Sequence, residues 1–361
     1  MWKFDAMLPP VMPNCRIQLG EGQTPLVKSR SIGAALGLKN LYFKLENLNP
    51  SGSYKDRFAS AFVSMMKMRS QSLCVATSSG NTGAALAAYC AAANIKCVLA
   101  IVDGAPIPKI KQMQLYGAHT IMVEGFGINP NTTSEVFAGL AKLTNSLSLP
   151  LPISAYIFCA EGMRGVQSIM YEIVDSIEAQ HVFSPAGGGG LTLAMAKGAL
   201  EYSANYKKIT IPKVHCVQPE GNDTIASALR NGFVKANAVN NATTQISGLQ
   251  VPSVLDGDLV IEYCRKLNGN GFVVKDSIVF EYQKLLAQTE GIFCEPAGAV
   301  SLAGLKLAVE LNEVHSDETV VCLITGSGFK DMLSVDNQFN LPAIQKIDST
   351  SLIKQIQLIN N

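Results

Sequence analysis

Between Leu73 and Thr144 the sequence alternates short apolar runs with longer segments of helical periodicity: LCVAT, GAALAAYCAAA, KCVLAIV, IPKIKQMQLY, TIMVEG and TTSEVFAGLAKL. Strands that alternate with helices of this length need right-handed crossovers, and these produce a parallel sheet with helices packed on it. The rhythm therefore predicts a doubly wound α/β domain. The segment SLSLPLPIS, with Pro150 and Pro152, breaks the rhythm and marks a domain boundary. A second α/β run follows: helix MRGVQSIMYEIVDSI, strand HVFSPA, a glycine loop, helix LTLAMAKGALEY, strand KVHCVQPE and helix NDTIASALRN. Residues 232–258 are polar and read as a surface excursion. Helices SIVFEYQKLLAQ and AGAVSLAGLKLAVEL and strand TVVCLIT come next, and the tail after Asp336 is poorly patterned.

A chain of 361 residues favours two domains with a well-buried interior. No apolar run reaches the ~18 residues needed to span a bilayer. The nearest, Gly83 to Val102, is interrupted by Asn94 and Lys96. Lys and Arg total 29 against 28 Asp and Glu, so no net field draws the chain to nucleic acid or an anionic membrane. The nine cysteines are scattered without a C-x-x-C pair, and several sit in apolar runs, as Cys74 and Cys322 do. Reduced thiols acting as small hydrophobes are expected, with no metal site and a cytoplasmic location. The N-terminus has a charge pair and three prolines where a signal peptide needs an apolar stretch.

Four turns each follow a short apolar strand. In NLNPSGSYKD, Asn47 to Asp56, a small polar run presents the Lys55 amine from a bend. Taken alone, Lys55 is more simply a charged residue opening the next helix. Ser78-Ser79-Gly80-Asn81-Thr82 offers hydroxyls, an amide and helix N-terminal N–H groups to a carboxylate or oxyanion, although ordinary capping also explains such residues. Gly187 to Gly190 leave backbone N–H groups free to converge on a phosphate at a helix N-terminus. The run matches neither G-x-G-x-x-G with a later acid nor G-x-x-x-x-G-K-[ST], which disfavours a nucleotide. Thr325-Gly326-Ser327-Gly328 closes the set. Together the four turns suit a cofactor bearing an aldehyde, a phosphate and an aromatic nitrogen.

In order and spacing, N-P-S-G-S-Y-K-D-R, S-S-G-N-T-G, P-A-G-G-G-G, E-G-I-F-C-E-P-A-G-A and T-G-S-G-F-K-D resemble the fold type II pyridoxal-phosphate enzymes, most closely the threonine synthases. The resemblance covers roughly residues 5 to 335. It implies two doubly wound α/β domains with pyridoxal 5'-phosphate in the cleft between them. The large domain would comprise 1–50 and 151–340, the small domain 51–150 and a tail 341–361. It also implies that Lys55 bonds covalently to the cofactor aldehyde. Asn81 would bond the ring hydroxyl oxygen, the amides of Gly187, Gly188, Gly189, Gly190 and Leu191 would hold the phosphate, and Thr325 would face the ring nitrogen. Ser78, Ser79 and Thr82 would receive the carboxylate or phosphate of an amino-acid substrate, and a homodimer is the family expectation.

From those roles the expected chemistry follows. The cofactor withdraws electrons from the substrate α-carbon, and the Lys55 amine is the natural base. A hydroxyl at the ring nitrogen, unlike a carboxylate, does not hold a proton there strongly. That bias suits elimination and replacement at the β or γ carbon over transamination and decarboxylation. The best match is threonine synthase, acting on O-phosphohomoserine. The alternative is β-replacement or β-elimination on serine, O-phosphoserine or O-acetylserine; a silent binding module is disfavoured because Lys55 is intact. One departure stands out: where the family pattern reads N-P-x-R-x-E-G, this chain has Tyr156 and Cys159 at the asparagine and arginine positions. Cysteine does not replace an arginine phosphate clamp, and Arg164 and Lys109 are the nearby candidates to do so.

Overall fold

A computed structural model describes residues 1–359 with the exception of 79, 106, 208 and 209. Residues 1–331 form one compact unit and the remainder a second. The first unit opens with strand β1 (Leu26–Lys28), short helix α1 (Ile32–Ala35), strand β2 (Asn40–Leu45) and helix α2 (Lys55–Met68). Alternation along β2 buries Leu41, Phe43 and Leu45 on one face. The predicted rhythm then appears as β3 (Leu73–Thr77), α3 (Asn81–Ala93), β4 (Lys96–Ile101), α4 (Ile107–Leu115), β5 (His119–Met122) and α5 (Pro130–Ser146). The small side chains of α3 let it lie close on its sheet, and Asn94 ends it in the left-handed conformation.

The second run comprises α6 (Tyr156–Ser176), β6 (His181–Pro185), α7 (Gly190–Tyr206), β7 (Lys213–Pro219), α8 (Ala226–Arg230), α9 (Gly257–Lys266), β8 (Gly271–Val274), α10 (Asp276–Glu290), α11 (Pro296–Glu310) and β9 (Thr319–Ile324). The strands form two sheets. One has the order β1-β2-β9-β6-β7-β8 and is parallel except for the β1 edge; the other, β3-β4-β5, is wholly parallel. The second unit carries α12 (Met332–Gln338) and α13 (Ser349–Ile359), with the Asp348 carboxylate accepting from the Thr350 and Ser351 N–H groups at the start of α13. Among the described residues no helix is long and apolar enough to cross a membrane.

Four differences from the sequence expectation have local causes. Helix α6 starts at Tyr156 and not at Met163, because the distant Asp256 carboxylate accepts from the Tyr156 and Ile157 N–H groups and caps it. Helix α8 is only one turn of the expected NDTIASALRN, since Glu220–Asn222 form a separate 3-10 turn. Helix α9 begins at the end of the polar excursion and buries Val260, Ile261 and Cys264. Strand β8 is four residues long and starts at Gly271, where a side chain would strike the Ala226 carbonyl.

Beneath the Lys55 helix lies a buried ionic cluster. The Arg57 guanidinium, fully buried, donates to both carboxylate oxygens of Glu46 and both of Glu172 at 2.7–2.8 Å, and Lys44 Nζ donates to Glu172 at 2.7 Å. Two cations and two anions cancel within the cluster, and the forked geometry satisfies the guanidinium, so burial is tolerated. The cluster joins β2, α2 and α6 and so fixes the start of α2 against the larger sheet.

Candidate active site

All four turns singled out in the sequence lie at carboxyl ends of parallel strands: the Lys55 turn follows β2, the Ser78–Thr82 turn β3, the glycine loop β6 and Thr325 β9. Open α/β sheets bind ligands at that edge.

The Lys55 turn is laced to the end of β9. Ser53 bridges Gly326, the Tyr54 N–H donates to the Thr325 carbonyl at 3.0 Å, and the Ser327 N–H donates to the Gly52 carbonyl at 2.9 Å. Gly52 has φ +92°, a conformation that favours glycine. Asp56 accepts from the Ser51 N–H at 2.7 Å, and burial pushes its carboxyl up to about 7. Lys55 is the first residue of α2 and is half-buried. Its Nζ donates to Ser154 Oγ at 2.6 Å and lies 4.6 Å from the Tyr54 ring centre. Ser154 Oγ is in turn 3.0 Å from Thr82 Oγ1.

The glycine loop enters α7, a 17-residue helix. The N–H groups of Gly187 to Leu191 donate to no group among the described residues, although the loop is buried or half-buried. Buried N–H groups are normally paired, and a row of free ones at a helix N-terminus is an anion site. The side of these glycines that a side chain would occupy is filled: a Cβ on Gly188 would lie 2.7 Å from Leu255 Cδ1, and one on Gly189 2.8 Å from Val260 Cγ2. Gly189 also has φ +94°. Packing and conformation thus require glycine here.

Asn81 begins α3 and donates through Nδ2 to Glu295, at 2.9 Å to one oxygen and 3.2 Å to the other, and its buried Oδ1 has no partner among the described residues. Thr325 is buried and its Oγ1 also has no partner among the described residues. Such orphaned polar atoms are uncommon in folded proteins and point to a missing partner. Glu295 is buried beside Gly326; burial raises its carboxyl above the usual range, against the pull of Lys109, the Asn81 hydrogen bond and Lys330. An anion cradle, an orphaned amide oxygen, an orphaned hydroxyl and a lysine amine on one sheet edge fit a phosphorylated aromatic aldehyde.

Ser78 is half-buried, and its Oγ accepts from the Gly83 N–H at 2.9 Å, which steadies the start of α3. Ser79 falls outside the described residues. Neither residue of the pair at 156 and 159 carries a cation. Cys159 is buried at a kink in α6, its Sγ 3.1 Å from the Cβ position of Gly162, and burial pushes its thiol up to about 12. Tyr156 lies under the Lys197 ammonium, 5.5 Å from its ring centre. Arg164 is held by the Glu201 carboxylate at 2.9 Å and the Met7 carbonyl at 2.7 Å. Lys109, on α4, reaches instead to Ser247 Oγ at 2.6 Å, and Gly248 and Val251 of the same loop wall Gly187. Lys109 and Lys330 line a cavity of about 310 Å³ with Ser51, Gly52, Gln112 and Ser327.

Sequence reasoning missed Ser154, Asp256 and Glu295. Ser154 lies in the proline-rich segment that reads only as a boundary, and Asp256 in the polar excursion. Glu295 does stand inside a quoted motif, directly before the proline that opens α11, which was the available signal.

The sequence profile of a family described as pyridoxal-phosphate dependent enzymes matches residues 17–326. A threonine synthase of Methanocaldococcus jannaschii is 32% identical over 340 residues, covering 92% of this chain and 80% of that protein. One from Methanosarcina acetivorans is 30% identical, covering 95% and 83%. Among solved structures, maize serine racemase superposes with a TM-score of 0.73 at 23% identity, covering 96% and 95% of the two chains. The processed form of threonine deaminase isoform 2 from Solanum lycopersicum gives 0.71 at 21%, covering 93% and 83%. These two share the fold. The chain therefore belongs to the pyridoxal-phosphate dependent enzymes, and pyridoxal phosphate is its cofactor.

Proposed function

We propose that this enzyme is a threonine synthase, converting O-phospho-L-homoserine and water to L-threonine and phosphate. The observation that carries the reading is the agreement with threonine synthases along nearly the whole chain, at 28–32% identity in five relatives covering 87–98% of it. A second reading, β-replacement or β-elimination on serine, O-phosphoserine or O-acetylserine, is favoured by one observation only: Tyr156 and Cys159 offer no cationic grip for a substrate phosphate.

In this reading the free N–H groups of Gly187 to Leu191 hold the cofactor phosphate, Asn81 meets the ring oxygen and Thr325 the ring nitrogen. Lys55 holds the aldehyde. Bound there, the cofactor supplies an electron sink for the substrate α-carbon. The Lys55 amine moves the α-proton, and the hydrogen bonds through Ser154 to Thr82 hold that amine in place. Thr82 and the Ser78–Ser79 turn receive the substrate carboxylate. Glu295 orients Asn81 by accepting from its amide, and Lys109 supplies the cation for the substrate phosphate. Asp256 bonds the Gly188 carbonyl through its N–H and caps α6 through its carboxylate, so it sets cradle and Ser154 segment against each other.

Residues 51–150 form a small domain and 1–50 with 151–340 the large cofactor-binding domain, with 341–361 as a tail. The nine unpaired cysteines suit a reducing cytoplasm, and the enzyme works as a homodimer. The test is a substrate panel of O-phosphohomoserine, O-phosphoserine, O-acetylserine, serine and threonine, read by product identity and phosphate release. Threonine formed from O-phosphohomoserine supports the first reading; pyruvate or a β-substituted alanine from a serine derivative, with no threonine formed, replaces it by the second.

A further inference from the structure

Three thiols converge in the layer between α3 and its sheet. Cys74 on β3 and Cys97 on β4 stand opposite one another in parallel register, Cys90 approaches from α3, and the three Sγ atoms all lie within 4.8 Å of one another. None of the three residues is more than 4% exposed. Their surroundings are the apolar core of the smaller sheet. A single buried cysteine is a small hydrophobe. Three that converge can do more.

Three sulfurs each about 2.3 Å from a central cation, at trigonal angles, stand ~4.0 Å apart. The observed spacing is within an ångström of that, a shift that side-chain torsion can supply. With only sulfur on offer, hard oxygen-seeking cations are excluded, and soft thiolate sites select thiophilic ones. The three cysteines show no ligand spacing in sequence; only the β3–α3–β4 topology brings them together. We infer that Cys74, Cys90 and Cys97 form a three-sulfur binding site for a thiophilic d10 cation such as copper(I), with cadmium(II) as the convenient probe. When Cd²⁺ loads, three S–H bonds break, three Cd–S bonds form and three protons pass to the buffer, leaving one net negative charge on the centre. Because Cys90 shares α3 with Asn81 and Thr82, a bound cation pins the helix that carries them.

The experiment uses the full-length reduced enzyme in a Cys15→Ala background, which removes the half-exposed thiol. Prolonged dialysis against Cd²⁺ gives the burial time to open. The expected result is one Cd²⁺ per chain with a sulfur-to-metal charge-transfer band, three sulfurs by X-ray absorption, and a raised melting temperature. Cys90→Ala and Cys97→Ser are each expected to weaken binding by more than the ~10- to 100-fold that an outer partner's loss costs. Melting curves without metal show whether each variant folds. A wild-type Cd²⁺ content no higher than that of Cys74→Ala/Cys97→Ala, or fewer than three sulfurs, overturns the site and leaves the cysteines as packing.

Discussion

Lys55 Nζ and Ser154 Oγ are 2.6 Å apart although 99 positions separate them in sequence. The contact joins the turn after β2 to the segment before α6, and Thr82 extends it to the start of α3. Replacing Lys55 with alanine is expected to abolish turnover and covalent cofactor retention with the melting temperature nearly unchanged. Ser154→Ala is the finer test. It should keep the cofactor bound and lower kcat by roughly 10- to 100-fold, since a misplaced general base loses part of its 10²–10⁴-fold contribution. An unaltered kcat with raised KM would make Ser154 a binding group only.

Thr325 Oγ1 is buried with no partner among the described residues, which permits a prediction with two opposite signs. Thr325→Val keeps the shape and deletes the orphaned hydroxyl, so the cofactor-free protein should gain up to about 1 kcal/mol of stability. Cofactor affinity should fall at the same time. Urea melts of the cofactor-free protein and a cofactor titration, run on one preparation, read the two effects. If stability and affinity drop together, Thr325 serves packing alone. Thr325→Asp is a poor probe, because it adds a second buried carboxylate beside Glu295.

Gly189 distinguishes conformation from ligand approach. With φ +94° and Val260 Cγ2 2.8 Å from the Cβ position, Gly189→Ala is strained and crowded. It should cost ~1–3 kcal/mol of stability. Because the N–H face of the loop is untouched, cofactor affinity per folded molecule should change less than stability does. A collapse of affinity at unchanged stability would mean that the side-chain face, too, meets the cofactor.

The strand-to-helix alternation and the four turns were legible because periodicity and turn chemistry are local. The start of α6, by contrast, depends on Asp256, a hundred positions downstream of Tyr156, and local signals do not carry such a cap. Strand β8 has only four residues, too few to show a period. Helix α9 hides behind a polar stretch whose length suggests a loop. At the site, the glycine- and serine-rich turns could be read from local sequence, whereas Ser154 and Glu295 act through partners, Lys55 and Asn81, that only the fold brings near.

Asp56 gives a pH prediction. Burial raises its folded value from the usual carboxylate range up to about 7. Its folded form holds a proton that the unfolded chain has released, so its contribution is fully present below about 4 and is lost as pH rises to about 7. Glu46 and Glu172 act in the opposite direction: Arg57 and Lys44 lower both, and their contribution is lost as pH falls through the acid range. Asp56→Asn keeps an acceptor for the Ser51 N–H and removes the titration. Between pH 5 and 7 the variant's stability should therefore decline less with pH than the parent's, in denaturant melts at several pH values. Parallel curves would show that Asp56 ionises normally.

The substrate phosphate is the remaining question, and Lys109 is the residue to test. Arg164 is held by Glu201 and the Met7 carbonyl, whereas Lys109, among the described residues, pairs with a serine hydroxyl on the loop that walls Gly187 and is close enough to pull on the Glu295 carboxyl. Restoring the family pair with Cys159→Arg is not informative, because that side chain is buried against Gly162 and a guanidinium there would be forced into the core. Lys109→Gln keeps a hydrogen-bond donor but removes the charge. A lost charge-assisted contact is worth ~1.5–3 kcal/mol, or roughly one to two decades. Inhibition by a phosphonate analogue of O-phosphohomoserine should weaken by that amount, while binding of threonine, which has no phosphate, should change by less than about threefold. Ser247→Ala separates charge from latch: if it weakens the phosphonate as much as Lys109→Gln does, Lys109 acts by holding the loop, and the phosphate cation must be sought at Lys330.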